Sequence, residues 1–365
     1  MDKPIRILFT TSNFNKAGSG KVIYDLIKGL DKAKFEITIA CGDNLGEFFK
    51  VIETLNVPIH IFKTKTSYRP YYGLFFRVCH ISKFYRTHQF DIIHSWQWSS
   101  DWTEALAAKF AGIKWIYTKK AMGYESKHWK LKSYLANFIV TINAEMQSYF
   151  PNKKQQALIP LGIDTTYYNP ELFEDKISDE TSKFKIITVA NLVPVKGIEV
   201  LIKALKILNN ENIVLTIVGD HNNSYGNALL KMVTDLKLNE YVVFLGKKAD
   251  VRHFISKSDV YVIPTLDEGR KEGMPMALVE AMSMGIPVIG SNVSGINFVL
   301  KDFKNLLFKA GDSNSLAKKI DDIKNLTDLE RKQLGNTLRS YCMNHFSLTN
   351  FIKAHEQLYI KLLKK

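Results

Sequence analysis

Short apolar runs rich in β-branched residues alternate along the chain with stretches of helical period. In the first half the pattern runs 5–11 then 21–30, 35–41 then 45–55, 57–62, 91–95 then 103–110, and 114–118. This rhythm predicts βαβ units, and hence a parallel sheet with helices on both faces. A second series, 185–190, 198–208, 213–219, 229–236, 241–245, 260–263, 277–284 and 288–290, predicts a second sheet of the same kind. Between the two, residues 164–183 are polar, carry Pro170 and lack an apolar period, so they read as a linker. Near the end, Phe351, Ile352, Leu358, Leu362 and Leu363 mark an amphipathic helix. The expected architecture is α/β, with a doubly wound, Rossmann-like domain over 1–163, a linker over 164–183, a second such domain over 184–345 and a terminal helix over 346–365. Parallel sheets take ligands at the carboxyl ends of their strands, so the two domains are expected to face each other across a cleft.

Composition narrows the class. With 46% hydrophobic and 24% charged residues in 365, the chain has the balance of a globular protein with a large core, which excludes global disorder. No window approaches the roughly 18 apolar residues of a membrane-spanning helix, and the first apolar run is too short for a signal peptide. Cys41, Cys79 and Cys342 are too few and too scattered for a disulfide scaffold or a cysteine-rich metal site, so a reducing cytoplasm is the expected compartment. Net charge is +14, and residues 1–165 hold 23 Lys/Arg against 13 Asp/Glu, so most of the surplus sits in the first half. A basic half of this kind suits anionic lipid, nucleic acid or a phosphorylated substrate.

The strongest local signal is Glu272-Gly273-Met274-Pro275-Met276, running on to Glu280, directly after the strand-like 260–264. Pro275 suits a first helical turn, where its missing N–H would be unpaired anyway. The amides beyond it then point toward the strand ends and favour a phosphate, and Gly273 carries no side chain to block close approach. Glu272 lies in the loop and Glu280 inside the helix, so the two carboxylates should contact different parts of one ligand. Lys196, after Val189-Ala190-Asn191, closes the first strand of the second domain, where an ammonium can neutralise a diphosphate. Arg270 and Lys271 add cations beside Glu272. Asp220 marks another strand end, as a ligand or as a cap.

In the first domain, Gly18-Ser19-Gly20 at the strand-to-helix turn would let backbone approach a phosphate or sugar; it is neither a P-loop nor a full dinucleotide fingerprint. From residue 54 to residue 90 there is no Asp or Glu, while Lys63, Lys65, Arg69, Arg77, Lys83 and Arg86 are interleaved with aromatic residues. Three readings stay open for this segment: the headgroup layer of an anionic membrane, single-stranded nucleic acid, or rings packed into the core. Membrane ranks above nucleic acid, because a small-molecule phosphate site is already implied elsewhere.

With these residues in view the chain resembles glycosyltransferase family 4, the retaining enzymes of GT-B fold that serve bacterial cell-surface polysaccharide assembly. The likeness runs through Gly18 to Gly20, Asp91 to Ser95 with His94, Ile159 to Asp164, Leu192 to Gly197, and Val260 to Pro287. The resemblance implies that Glu272 lies by the donor sugar, that Glu280 binds the nucleotide ribose, and that Lys196 binds the diphosphate. It places amides near Gly273, Met274, Pro275 and Met276 on sugar and phosphate, and it implies catalytic work for Glu272 and Lys196. It also implies that the final helix packs back on the first domain, and that neither metal nor cofactor is needed, consistent with the absence of an Asp-x-Asp triplet.

Three departures qualify the transfer. Asn191 stands where the family usually has an arginine, so Arg270 is the candidate for the missing charge. Lys119 and Lys120 stand near the usual sugar-contacting histidine, and with His94 they are the expected sugar or acceptor contacts. Asn297 lies in a glycine turn that lacks the family's acidic residue. The expected function is transfer of a hexosyl group from a nucleoside-diphosphate-sugar to a saccharide or lipid-linked saccharide, peripherally on the inner membrane face, with no nucleic acid as partner. The alternatives are a degenerate GT-B binding protein for lipid or RNA, and a GT-B enzyme of another kind, a phosphorylase or an epimerase.

Overall fold

Parallel pairing organises the chain, seen in a computed structural model that describes residues 3–15, 17–124, 126–173, 183–269 and 273–364, into two sheets and two units. The first unit takes Met1–Gly162 and Leu348–Lys365, and the second takes Ile163–Ser347.

Seven strands form the first sheet: β1 (Ile5–Thr11), β2 (Phe35–Cys41), β3 (Ile59–Ile61), β4 (Ile92–Ser95), β5 (Lys114–Lys119), β6 (Phe138–Thr141) and β7 (Gln156–Leu158). Their order is β3-β2-β1-β4-β5-β6-β7, so the winding direction reverses between β1 and β4. β4 is buried along its whole length and β1 over its last five residues, as expected for central strands covered on both faces. Helix Leu74–His88 buries Val78, Ile81 and Tyr85, one stripe of a 3.6-residue period, in a cluster with Ala105, Ala107 and Ala108 of helix Thr103–Ala111 and with Trp115 and Tyr117 of β5. Helix Leu348–Leu363 buries Phe351, His355, Leu358 and Tyr359 in this unit. Tyr359 sets its ring edge against Phe9 and Phe35 at 6.4 and 5.9 Å, and Gly29 makes room for Ile352, whose Cδ1 would lie 2.1 Å from any Cβ there.

The second sheet contains β8 (Phe184–Val189), β9 (Ile213–Val218), β10 (Val242–Gly246), β11 (Val260–Ile263), β12 (Val288–Ser291) and β13 (Leu307–Phe308), in the order β10-β9-β8-β11-β12-β13. Here the reversal falls between β8 and β11. Helix Ile198–Leu208 follows β8, helix Met276–Ser283 follows β11, and helix Asp328–Phe346 starts on a Thr327/Glu330 capping box.

The linker expected over 164–183 is only partly a linker. Ile163 bridges to Ser347, Tyr168 is buried, and Pro170–Phe173 form a 3₁₀ turn, so this stretch belongs to the second unit. Residues 174–182 lie outside the described residues. Among the described residues no helix is long and apolar enough to cross a membrane.

Candidate functional site

In a doubly wound sheet the segments that leave neighbouring strands at the reversal diverge to opposite faces, and the space between them is where ligands sit. In the second unit those segments follow β8 and β11. After β8 the chain passes an exposed Asn191, anchors on the buried Leu192, and makes the tight turn Pro194–Lys196, closed by the Lys196 amide donating to the Val193 carbonyl at 2.9 Å. The two segments are stitched together by the Leu266 amide, which donates to the Val195 carbonyl at 2.9 Å. Gly197 makes this junction possible: its φ is +62°, and a Cβ there would sit 2.2 Å from the Pro264 carbonyl oxygen. From β12, Ser291 Oγ donates to the Thr265 carbonyl at 2.6 Å and braces the same loop.

Two helices begin at this edge, and their starts differ. At helix Ile198–Leu208 the Ile198 amide donates to the Tyr225 hydroxyl at 3.0 Å, and that hydroxyl donates to the Glu199 carboxylate. Protein groups therefore already serve that helix start. Helix Met276–Ser283 starts after Pro275, which has an extended backbone and no side chain able to accept a hydrogen bond. Gly273, Met274 and Pro275 are all buried beneath this start. The first-turn amides of such a helix attract an anion through both hydrogen bonding and the helix dipole.

Glu280 lies one turn further on, half-buried beside the Tyr168 phenol. Burial, and then the Glu280 carboxylate, push that phenol well above its ordinary pKa, so Tyr168 remains a proton donor to Glu280. Tyr168 is itself fixed by its backbone. Its carbonyl accepts from Ser283 Oγ at 2.8 Å and from Arg339 Nη1 at 3.0 Å, and Arg339 also reaches the Ser283 carbonyl and Asn169 Oδ1. Next to it, Arg252 stacks on Tyr167 with the guanidinium carbon 3.5 Å from the ring centroid and pairs with Asp250 at 2.6 Å. The sequence reading missed Tyr168, Arg252 and Arg339. Arg270, Lys271 and Glu272 lie outside the described residues.

The expected residues of the first unit are arranged differently from the reading. Gly18 and Gly20 lie in the first turn of helix Ala17–Gly29, not in a turn before it. A Cβ at Gly18 would meet nothing within 4 Å, whereas one at Gly20 would meet the Phe48 ring at 2.8 Å, so Gly20 is required by packing. His94, expected as a sugar or acceptor contact, has no exposed surface. It is fully buried at the end of β4, with Nδ1 bonded to the Tyr359 hydroxyl at 2.7 Å and Nε2 to Thr118 Oγ1 at 2.8 Å, and burial holds it neutral. Lys119 is likewise occupied. Its Nζ donates to the Ala121 and Gly123 carbonyls at 2.6 and 2.8 Å and lies 3.9 Å from the Trp129 ring centroid, so it shapes the loop after β5 from beneath. Lys120 is half-buried and donates to the Trp96 carbonyl at 2.6 Å.

Below these residues lies a buried charged group that the sequence did not announce. Glu104 accepts from Thr64 Oγ1 at 2.7 Å and from Ser95 Oγ at 2.5 Å. Lys132 donates to the Ser99 carbonyl at 2.9 Å, and burial pulls its pKa down to about 8 despite the nearby Glu104 and Asp101 carboxylates. Among the described residues no group of three or more His, Cys, Asp or Glu is placed to hold a metal ion.

Two protein-family models match the chain. The one described as Glycosyltransferase Family 4 covers residues 17–167, and the one described as Glycosyl transferases group 1 covers residues 170–340. An Escherichia coli protein named UDP-Gal:alpha-D-GlcNAc-diphosphoundecaprenol alpha-1,3-galactosyltransferase is 23% identical over 308 residues, 77% of this chain and 78% of that protein. The capsular polysaccharide biosynthesis glycosyltransferase CapH of Staphylococcus aureus is 24% identical over 323 residues, 84% of this chain and 86% of that one. Among solved structures, the HepE protein of Anabaena in complex with UDP shares the fold with a TM-score of 0.80, at 19% identity, across 97% of this chain and 99% of that chain.

Proposed function

We propose that this chain, a GT-B-fold glycosyltransferase that belongs to family 4 and serves bacterial polysaccharide biosynthesis, takes a hexosyl group from a nucleoside-diphosphate-sugar and transfers it with retention of anomeric configuration. The second unit holds the donor. One observation carries this reading: the segments leaving β8 and β11, joined at Val195 and Leu266, set a cation, Lys196, and an anion-attracting helix start, Met276, at the same edge of one sheet, with Glu280 a turn away. That set matches the three chemical parts of a donor, which are diphosphate, sugar and a ribose with hydroxyls for a carboxylate to accept from. The UDP bound in the Anabaena structure supports a nucleotide of this class. Glu272 takes the sugar-facing role that its place in the sequence implies.

In the reaction the bond from the anomeric carbon to the diphosphate oxygen breaks, and its electron pair leaves with the diphosphate. The acceptor hydroxyl oxygen bonds to the anomeric carbon while its proton passes to the departing phosphate. Lys196 and the helix amides stabilise the charge that develops, so the chemistry needs neither a metal nor a cofactor. The acceptor is a saccharide, free or carried on a lipid diphosphate of the sort named for the Escherichia coli relative, and the first unit receives it. The work is done on the cytoplasmic side, in keeping with the unpaired Cys41, Cys79 and Cys342.

Calorimetric titration of UDP, GDP and ADP tests the donor site directly. One of the three is expected to bind the wild-type chain and to lose about tenfold or more in affinity with Glu280→Ala, the loss of a charged hydrogen-bond partner. No binding by any of them, or unchanged binding in the variant, would overturn the assignment.

A further inference from the structure

The acid-free segment 54–90 divides cleanly once folded. Tyr85 goes into the core, and Arg77 bends back to hold the turn before the helix, its Nη2 donating to the Ser67 and Pro70 carbonyls at 3.0 and 2.8 Å. What remains outside is concentrated. Tyr71 and Tyr72 of the short turn Tyr71–Gly73, and Phe75 and Phe76 at the start of helix Leu74–His88, are all exposed, Tyr72 to 89% and Phe76 to 73%. Water around four large rings within six residues is costly, and an exposed apolar patch of this kind marks a surface that is covered in use.

Position and charge say by what. Phe75 touches Phe110 of the neighbouring helix at 6.2 Å between ring centroids. These two rings line a shallow depression of about 630 Å³ together with Cys79, Ser82, Lys83 and Arg86, and the Arg86 guanidinium donates to the Phe110 carbonyl. Apolar rings and cations thus share one face. Exposed Lys109 and Tyr134 extend the same mixture onto the adjoining helices. The one carboxylate of helix Thr103–Ala111, Glu104, is turned into the core, and helix Lys127–Leu135 has none.

From this arrangement we propose that the face built on Tyr71, Tyr72, Phe75 and Phe76, with Lys83 and Arg86, is a docking surface for an anionic bilayer. The rings enter the interfacial layer, and the cations meet headgroup phosphates. A protein partner would need complementary acidic groups and a fixed outline, whereas a bilayer needs only rings and positive charge, which is what this face offers. The inference stands apart from the donor site, which lies in the other unit, so either can fail alone.

Co-sedimentation of the full chain with vesicles tests it, using phosphatidylcholine alone and phosphatidylcholine mixed with phosphatidylglycerol. Wild-type protein is expected to partition strongly only onto the anionic vesicles, and less as salt is raised. The double variant Tyr72→Ser, Phe76→Ser should lose about tenfold or more in partitioning, and Lys83→Glu several-fold with a flatter salt dependence. All three side chains are exposed, so nucleotide binding and the melting curve should stay at wild-type values, which separates this inference from the donor reading. Equal or negligible binding to both vesicles would overturn it, as would variants that sediment like wild type. Two further outcomes also reject the bilayer: a wild-type dimer in gel filtration that the double variant abolishes, or retention of single-stranded RNA in place of vesicles.

Discussion

The loop that carries Lys196 is fixed by main-chain groups, the Lys196 amide in the Pro194 turn and the neighbouring Val195 carbonyl on Leu266. With Lys196 on the diphosphate as proposed, Lys196→Ala is expected to lower kcat about 100- to 1000-fold, the roughly 2.7–4 kcal/mol typical of one lost charge-stabilising contact, with the loop's main-chain bonds keeping the chain folded. Steady-state turnover beside a thermal melt checks both halves of that statement. The places of such residues in the fold were legible in the sequence. Lys196, Gly273 to Met276 and Glu280 sit a fixed few residues from a strand end, and the path from strand to helix start is local. Tyr168 and Arg339 were not legible, because the hydrogen bond that joins them spans 171 residues and leaves no mark on the residues around either one. The burial of His94 was not legible for a different reason. The end of a strand shows in sequence, but which way its side chain turns is decided by what covers it, and Tyr359 covers it from a helix far along the chain.

At the level of elements, the junction of the β8 and β11 loops depends on one glycine. Gly197→Ala would force a Cβ into a left-handed backbone and against the Pro264 carbonyl, with an expected loss of about 1–3 kcal/mol and a melting temperature lower by several degrees. Because the two loops must part to relieve that clash, nucleotide affinity should fall with it, and differential scanning calorimetry with and without nucleotide would show both. The alternating pattern announced the long central strands, β1, β2, β8 and β9, whose β-branched runs are buried on both faces. It did not announce β6, β7 and β13, which are short and lie toward one edge of their sheets. Helix Leu74–His88 escaped as well. Its exposed face carries Phe75 and Phe76 while its buried stripe includes Ser82, so the usual amphipathic contrast is blurred. The helix at Ala17 starts earlier than read because Gly18 and Gly20 argue against a helix by propensity, and packing against Phe48 overrides that.

For the molecule as a whole, buried charge gives stability a dependence on pH that can be assigned to one unit. Lys132 has a folded pKa of about 8 against an ordinary 10.5, so between those values the unfolded chain binds a proton that the folded chain does not. Its contribution to stability therefore rises with pH from about 8 to about 10.5, by at most about 1.4 kcal/mol per pH unit, and its cost is constant below pH 8. The Cys41 and Cys342 thiols, pushed up by burial, act in the opposite sense above about pH 9, so the test is a comparison with Lys132→Met. Wild type should gain on the variant as pH climbs from 8 to 10. Tryptophan fluorescence during urea unfolding is the right probe, since Trp96, Trp98, Trp102, Trp115 and Trp129 all belong to the first unit. That same unit is discontinuous in the chain, and this sets a schedule for its birth. Its sheet leaves the ribosome first, but helix Leu348–Leu363, which supplies Tyr359 to Phe9, Phe35 and His94, follows only after residues 163–347 have been made. At about 5–20 residues per second that interval is about 10–40 s, during which Phe9 and Phe35 of the nascent sheet lack the cover of Tyr359 and are open to chaperones and to neighbouring chains.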